Sequence, residues 1–397
     1  ARFAVQKAGW LATSPGLIIM AEVRVIASIA ADPQLEFLRQ ITDPSRGVLH
    51  VSGLWGSAAP MLVAHLAGRV HKVVFYLTSH LEEADHARDD LELFLGRACE
   101  VFPAWETVRE EGAGNAEIEA ERLKICKSLL DAAEKPVAAS RIVVAPILAL
   151  MQPVPSPAVL KGSVLAIKAG VATAWGQSRG PEALVRWGIE RGYERLELVE
   201  SPGDVAQRGD IVDLYGPGET APLLVQFDGD QVESIRRFDV STQRSIESLP
   251  SIDLTGLPAG DTSKSECVHL FEYLPAGSVV AMDRPAEISE MGRTLWKRLG
   301  EPPELFQAQE VLARSNEFAQ LHLTRFAETA TTSETRVDCA VTSLTRFEDA
   351  ARDAVAELIS LGHEYEVHVF CDNEGERQRL AEMLREHDSN APPDRIN

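Results

Sequence analysis

The chain has 397 residues, 45% of them hydrophobic and 25% charged, which allows two to four domains with sizeable cores and is ordinary for folded soluble protein. Sixty Asp and Glu against 39 Lys and Arg give a formal charge of −21, which argues against a chain whose main task is gripping nucleic-acid phosphates and favours a protein partner. Five cysteines (Cys99, Cys126, Cys267, Cys339, Cys371) form no C-x-x-C pair, and the apolar run from Leu17 to Ile29 is broken by Glu22 and Arg24; the expectations are reduced thiols, no metal set, no membrane span and a cytoplasmic location.

The first motif in chain order is an altered one. His50-Val-Ser-Gly-Leu-Trp-Gly-Ser-Ala-Ala-Pro-Met61 stands where a phosphate loop, G-x-x-x-x-G-K-[ST], would join a strand to a helix. With Gly53 as the first glycine, Ala58, Ala59 and Pro60 replace the second glycine, the Lys and the hydroxyl residue. Gly53 and Gly56 then read as turn glycines needing positive φ, and Trp55 and Trp105 as packing residues in the volume a nucleotide would take. Val73 to Leu77 reads as a buried strand, and Ser79 with Glu82 as the capping box of a helix whose inner face is Leu81, Ala84, Ala87, Leu91 and Leu95. His80 and His86 lack the i,i+4 spacing of a metal pair. A helix from Glu117 to Ala133 and a central strand from Arg141 to Pro146 continue the alternation of a parallel α/β sheet, until three prolines between Met151 and Pro157 mark the chain leaving it.

From Gly162 to Pro250 the text turns β-rich. A short helix from Pro181 to Arg191 is followed by strands at Asp210 to Tyr215, Leu223 to Phe227 and Gln231 to Phe238, the last read as an edge strand because its alternation is imperfect; Asp228-Gly229 is the strongest hairpin cue. The α/β pattern resumes near Leu270. Gly277-Ser-Val-Val-Ala-Met-Asp283 is a buried strand ending where a Mg²⁺-side acid would stand, and Arg284 then occupies the place of a motor's catalytic Glu. Two losses at separated positions describe an inactive remnant nucleotide site made of Gly53, Gly56, Ala59, Asp283 and Arg284, with no catalytic residue and no cofactor of its own. Ala327 to Val337 reads as a linker, Leu344 to Leu361 as a helix stopped by Gly362, Tyr365 to Cys371 as a strand, and Asn373 with Glu376 as the cap of a helix reaching His387. The fold class is α/β: a degenerate helicase-type parallel-sheet domain over 1–158 and 251–330, an inserted antiparallel β-rich domain over 159–250, and the start of a further α/β domain, incomplete, over 335–397.

Gly192-Tyr-Glu-Arg, Gly203-Asp-Val-Ala-Gln-Arg-Gly-Asp-Ile-Val-Asp-Leu-Tyr215, Phe227-Asp-Gly-Asp-Gln-Val-Glu-Ser-Ile-Arg-Arg-Phe-Asp239 and Thr242-Gln-Arg-Ser245 together resemble the module shared by the excision-repair protein UvrB and the bacterial transcription-repair coupling factors. The degenerate phosphate loop, Phe102-Pro-Ala-Trp-Glu106 and Ile147-Leu-Ala-Leu-Met-Gln152 are more similar to the coupling factors; the alternative, a UvrB-like ATP-dependent DNA-unwinding enzyme, would require an intact loop and an Asp-Glu pair. The resemblance implies that the inserted domain binds UvrA and that Arg208, before the glycine of R-G-x-ϕ-x-D, is a contact; taken without the resemblance, Arg208 reads as a charge capping a turn or pairing with Asp210 or Asp213. Two further family contacts fall at Leu224 and Asp228, where neither type is kept, and Arg236 or Arg237 is the candidate replacement cation. The resemblance further implies that stalled RNA polymerase, DNA, ATP and Mg²⁺ are engaged by family domains that would lie beyond Asn397, one of which covers the UvrA-binding face until the motor engages.

Overall fold

Valine-rich apolar runs too short for a helix and without alternation are the signature of strands covered on both faces. The computed structural model, which describes residues 3–7, 47–68, 72–105, 113–134, 140–217, 219–256, 267–326, 335–339, 351–364, 366–371 and 373–387, places these runs at the centre of a seven-stranded parallel sheet. In chain order the first strands are β1 (Phe3–Lys7), β2 (Val48–Ser52), β3 (Val73–Thr78), β4 (Glu100–Val101) and β5 (Arg141–Pro146). Helices α1 (Ala58–Ala67), α2 (Leu81–Leu95), α3 (Ala113–Glu134) and α4 (Ile147–Met151) lie between and after them. The chain then passes through β6 (Val154–Pro155), α5 (Pro157–Gly162), β7 (Val164–Lys168), β8 (Ala174–Trp175), β9 (Ser178–Arg179) and α6 (Gly180–Glu190). Strands β10 (Glu194–Arg195), β11 (Asp204–Arg208), β12 (Ile211–Leu214), β13 (Leu223–Asp228), β14 (Gln231–Phe238) and β15 (Ser245–Leu249) form a six-stranded sheet in sequence order, antiparallel except for β10 with β11. After β16 (Ser251–Thr255), paired with β7, the chain returns through β17 (Cys267–Val268) to β18 (Val279–Asp283), α7 (Pro285–Arg298), α8 (Ala308–Arg314), β19 (Ala319–Leu323) and β20 (Thr335–Asp338), and continues to α9 (Ala351–Glu364), β21 (Glu366–Phe370) and α10 (Glu374–His387).

The parallel sheet runs β20-β2-β19-β18-β3-β5-β4. On one face Phe75, Leu77, Val143, Val280 and Met282 meet α3, α4, α7 and α8 through Leu123, Leu129, Ile147, Ile288 and Val311. On the other, Val51, Val74, Tyr76, Val144 and Leu321 meet α1 and α2 through Leu62, Val63, Leu66, Ala84, Leu91 and Phe94. Burial of these large apolar side chains on both faces, at roughly 25 cal/mol per Å² of apolar surface, is what holds this layer sandwich together. The outgoing β6 and the returning β17 pair antiparallel, and the Tyr273 hydroxyl donates to the Pro155 carbonyl at 2.6 Å, so the excursion to the β-rich sheet leaves and re-enters at one point. That sheet has its own core, in which Trp187 and Leu184 of α6 pack on Tyr193, Val205, Val212, Val225 and Ile235.

Several expectations are corrected. The helix after β3 is capped at His80, not Ser79; no cap bond to the backbone forms, because the Ser79 hydroxyl donates instead to Glu83 at 2.5 Å, and Leu81 is exposed. Strand β14 is interior, since β15 covers its outer side; its alternation is broken at Glu233, the extra residue where the register on β13 shifts between Gln226 and Phe227. The last three residues of the expected linker, 335–337, belong to β20, an edge strand of the main sheet. Gly362 lies inside α9, which ends at Glu364. Strand β21 has a partner, because Phe3–Lys7 pairs with it in parallel; the Asn373 carboxamide oxygen accepts the Glu376 N–H at 2.9 Å, as a cap should. The run from Leu17 to Ile29 and the residues 344–350 lie outside the described residues.

Candidate functional site

In a parallel sheet, ligands collect at the carboxyl ends of the strands. Strands β2 and β18 flank β19, so the altered loop after Ser52 and the acid Asp283 emerge at the same edge. Gly53 (φ 77°) and Gly56 (φ 57°) are left-handed, as a tight strand-to-helix turn requires. The space over Gly53 is already filled: a Cβ there would lie 1.9 Å from the Cys339 carbonyl oxygen. Cys339 donates its N–H to the Ser52 carbonyl at 2.9 Å, and the Ser52 hydroxyl donates to Asp338 at 2.9 Å. Ala59 is buried at 5% exposure and offers no charge. Trp55 packs in this loop, edge-on to Phe326 at 5.1 Å, whereas Trp105 belongs elsewhere, with its indole donating to Glu119 at 3.2 Å.

Among the described residues Asp283 bonds Arg284 and not the altered loop. Its neighbour Arg284, itself left-handed at φ 59°, donates its N–H to Leu323 at 2.8 Å and turns its guanidinium onto Glu83, Asp283 and Glu287. Burial pushes the Asp283 carboxyl up, with Arg284 opposing. Burial also acts to raise Glu83, but the Ser79 hydroxyl and Arg284 together hold it below its ordinary value. The buried Tyr76 phenol faces Asp283 without reaching hydrogen-bond geometry, and its own burial, then the Asp283 charge, raise it well above the usual range. Three carboxylates around one arginine, a carbonyl over the loop and an alanine at the Lys position do not fit a Mg²⁺-nucleotide. Among the described residues no group of three His, Cys, Asp or Glu is placed to hold a metal ion.

The second site lies on the β-rich sheet, where the period-two alternation of strands assigns each side chain to a face. Val205, Val212, Leu214, Leu223, Val225 and Ile235 turn inward to α6. The opposite face carries the cross-strand neighbours Ala206, Asp213, Leu224 and Arg236 in one row across β11 to β14, with Ile211 and Gln226 in the next. Arg208 ends β11, before the left-handed turn glycine Gly209 (φ 61°), and folds back so that its guanidinium pairs with Asp213 and not Asp210. Arg208 remains 54% exposed while the Asp213 side chain is 3% exposed. Burial pushes the Asp213 carboxyl up, and the Arg208 hydrogen bond and charge oppose it. Arg236 shares this face, directly opposite Leu224, and has no ion-pair partner among the described residues. Arg237 points to the other face, where Glu219 (2.8 Å) and Glu247 hold it. Asp228 is exposed at the β13–β14 turn. The structure thus brings together Arg208, Leu224 and Arg236, and separates Arg237 from them.

Sequence reasoning missed Glu83 as the seat of Arg284 and Asp338-Cys339 as the cover of Gly53, because each lies far along the chain from its partner. Asp213 was in view, five residues from Arg208, but its choice over Asp210 depended on which acid the sheet buries.

Residues 171–259, which hold this face, match the family described as the UvrB interaction domain. Over 206 residues the chain is 34% identical to the transcription-repair-coupling factor of Bacillus subtilis, covering 51% of this chain and 16% of that protein. It is 28% identical over 207 residues to that of Escherichia coli, covering 52% and 17%, and 31% identical over 225 residues to that of Myxococcus xanthus, covering 54% and 18%. The matched region therefore spans less than a fifth of the length of these relatives.

Proposed function

We propose, from the premise that this chain is a UvrB-like amino-terminal module of the transcription-repair coupling-factor kind, that it recruits UvrA through the Arg208 face of its UvrB interaction domain, in transcription-coupled nucleotide excision repair. The observation that carries the reading is Arg208 itself: an exposed guanidinium at a tight turn, anchored from beneath by a buried carboxylate, inside the matched domain. An arginine fixed in this way presents a planar fork to a partner carboxylate at little entropic cost, which is how arginine anchors dominate protein interfaces. Leu224 and Ile211 add an apolar contact beside it, and Arg236 a second cation. Stalled RNA polymerase and DNA are assigned to other regions of such proteins, and the module itself is non-catalytic. An ATP-driven unwinding role of the UvrB kind is not favoured, since Ala59 and Arg284 remove the charges it needs. No helix among the described residues is long and apolar enough to cross a membrane, and the module is taken to act in the cytoplasm.

Calorimetric titration of UvrA into wild type, Arg208→Gln and Arg208→Glu tests the reading. Loss of a desolvated arginine anchor costs about 2 kcal/mol or more, roughly 30-fold in Kd, and charge reversal adds repulsion. Both variants should keep a cooperative thermal transition, since the pair is solvent-facing on the arginine side. Wild-type affinity in both variants would refute docking through this face.

A further inference from the structure

Asp213 is an unusual seat for an exposed arginine. Its carboxylate is buried, one oxygen carries the Arg208 guanidinium, and the other has no hydrogen-bond donor. Its cross-strand neighbours are Ala206 on β11 and Leu224 on β13, neither of which can donate from its side chain. A surface salt bridge gains little and would not repay burying an acid. The pair is therefore poorly explained as a stabilising contact.

Arg208 uses a single terminal nitrogen on Asp213, and the other N–H groups of its fork are without a partner among the described residues. A guanidinium so held is rotationally fixed while most of its donors stay available. We propose that Asp213 is the positioning residue of the docking face, holding Arg208 by one edge so that the rest of the fork meets a carboxylate of UvrA; this rests on the UvrA reading above. The arrangement predicts that docking depends on the ionised state of Asp213. The one charged group bearing on that carboxyl is Arg208, from β11; no titratable group of its own strand β12 or of the other neighbour β13 contributes. Because burial raises this carboxyl, acidification protonates it above the usual aspartate range, releases Arg208 and weakens docking.

The test is a double-mutant cycle with UvrA as the titrant, using wild type, Asp213→Asn, Arg208→Gln and the double variant, each from about pH 5 to about pH 7.5. Asp213→Asn should bind about tenfold more weakly at neutral pH, add nothing in the Arg208→Gln background, and lack the part of the pH dependence that wild type shows. Equal weakening by Asp213→Asn with and without Arg208 would mean that Asp213 merely supports the sheet and would overturn the proposal, as would an unchanged affinity. If Arg208→Gln alone binds as wild type does, the docking reading itself fails; if Arg208→Gln weakens binding but Asp213→Asn does not, only the positioning role fails. Asp213→Glu, which keeps the charge but lengthens the arm, separates charge from geometry and should recover less than half of the loss in log Kd.

Discussion

Arg122→Met tests how the entrance to the inserted β-rich domain is held. Arg122 is 1% exposed, yet among the described residues no carboxylate hydrogen-bonds it. Its guanidinium is solvated by the protein instead: it donates to the Pro103 carbonyl at 2.7 Å, the Gln152 side chain at 3.2 Å, and the Gln152 and Pro153 carbonyls at 3.2 Å each. It also lies over the rings of Phe102 at 4.4 Å and Trp105 at 4.8 Å. Burial acts to lower its affinity for the proton, with the Glu119 charge opposing. Methionine fills similar volume but strands these acceptors. Hydrogen bonds to a charged donor contribute about 1.5–3 kcal/mol each and the ring contacts about 1 kcal/mol; relief of the guanidinium's desolvation, several kcal/mol, offsets much of that. The net expectation is destabilisation of about 3 kcal/mol, a drop of roughly 6–12 °C in Tm. Denaturation should be followed by Trp105 fluorescence, because a chain with several cores does not unfold in one step. A midpoint shift equivalent to less than about 1 kcal/mol would refute the reasoning by showing that the carbonyls find other donors. UvrA affinity should not change, since the docking face has a separate core.

Arg236→Glu should weaken UvrA binding about tenfold and flatten its salt dependence, whereas Arg237→Glu should lower the melting temperature and leave affinity within about twofold; the reverse pattern in titration and melting curves would mean that the face is misassigned. Mg-ATP should give no saturable heat in calorimetry, and a micromolar site would contradict the reading of the closed loop. Asp283 and Glu83, two of the three carboxylates around Arg284, should respond to pH with opposite signs. Asp283 is raised in the folded state, so its contribution to stability is present at low pH and lost as pH rises; wild type should lose stability relative to Asp283→Asn between about pH 3 and about pH 7. Glu83 is lowered, so its contribution is present above its unfolded pKa and lost on acidification; wild type should gain relative to Glu83→Gln over the same interval, and same-sign trends in chemical denaturation would contradict the assigned network.

What the sequence determined by itself was whatever is encoded within a few residues of chain. Unbroken apolar runs at Val73 and Arg141 specify strands buried on both faces, Asp228-Gly229 specifies a hairpin turn, Asn373 specifies a helix cap, and Ala59 and Arg284 remove a charge wherever they end up. Strand order and face assignment belong to the tertiary structure. Arg236 and Arg237 are adjacent and chemically identical, so only the register of β14 on β13 decides that one joins Arg208 while the other is tied to Glu219 and Glu247. Likewise β14 became interior only because β15 folded back onto it, and Phe3–Lys7 joined β21 across almost the whole chain. Turns and caps are satisfied by neighbours along the backbone, while pairing partners and buried counter-charges are chosen by the packing of segments remote in sequence, which no local period records.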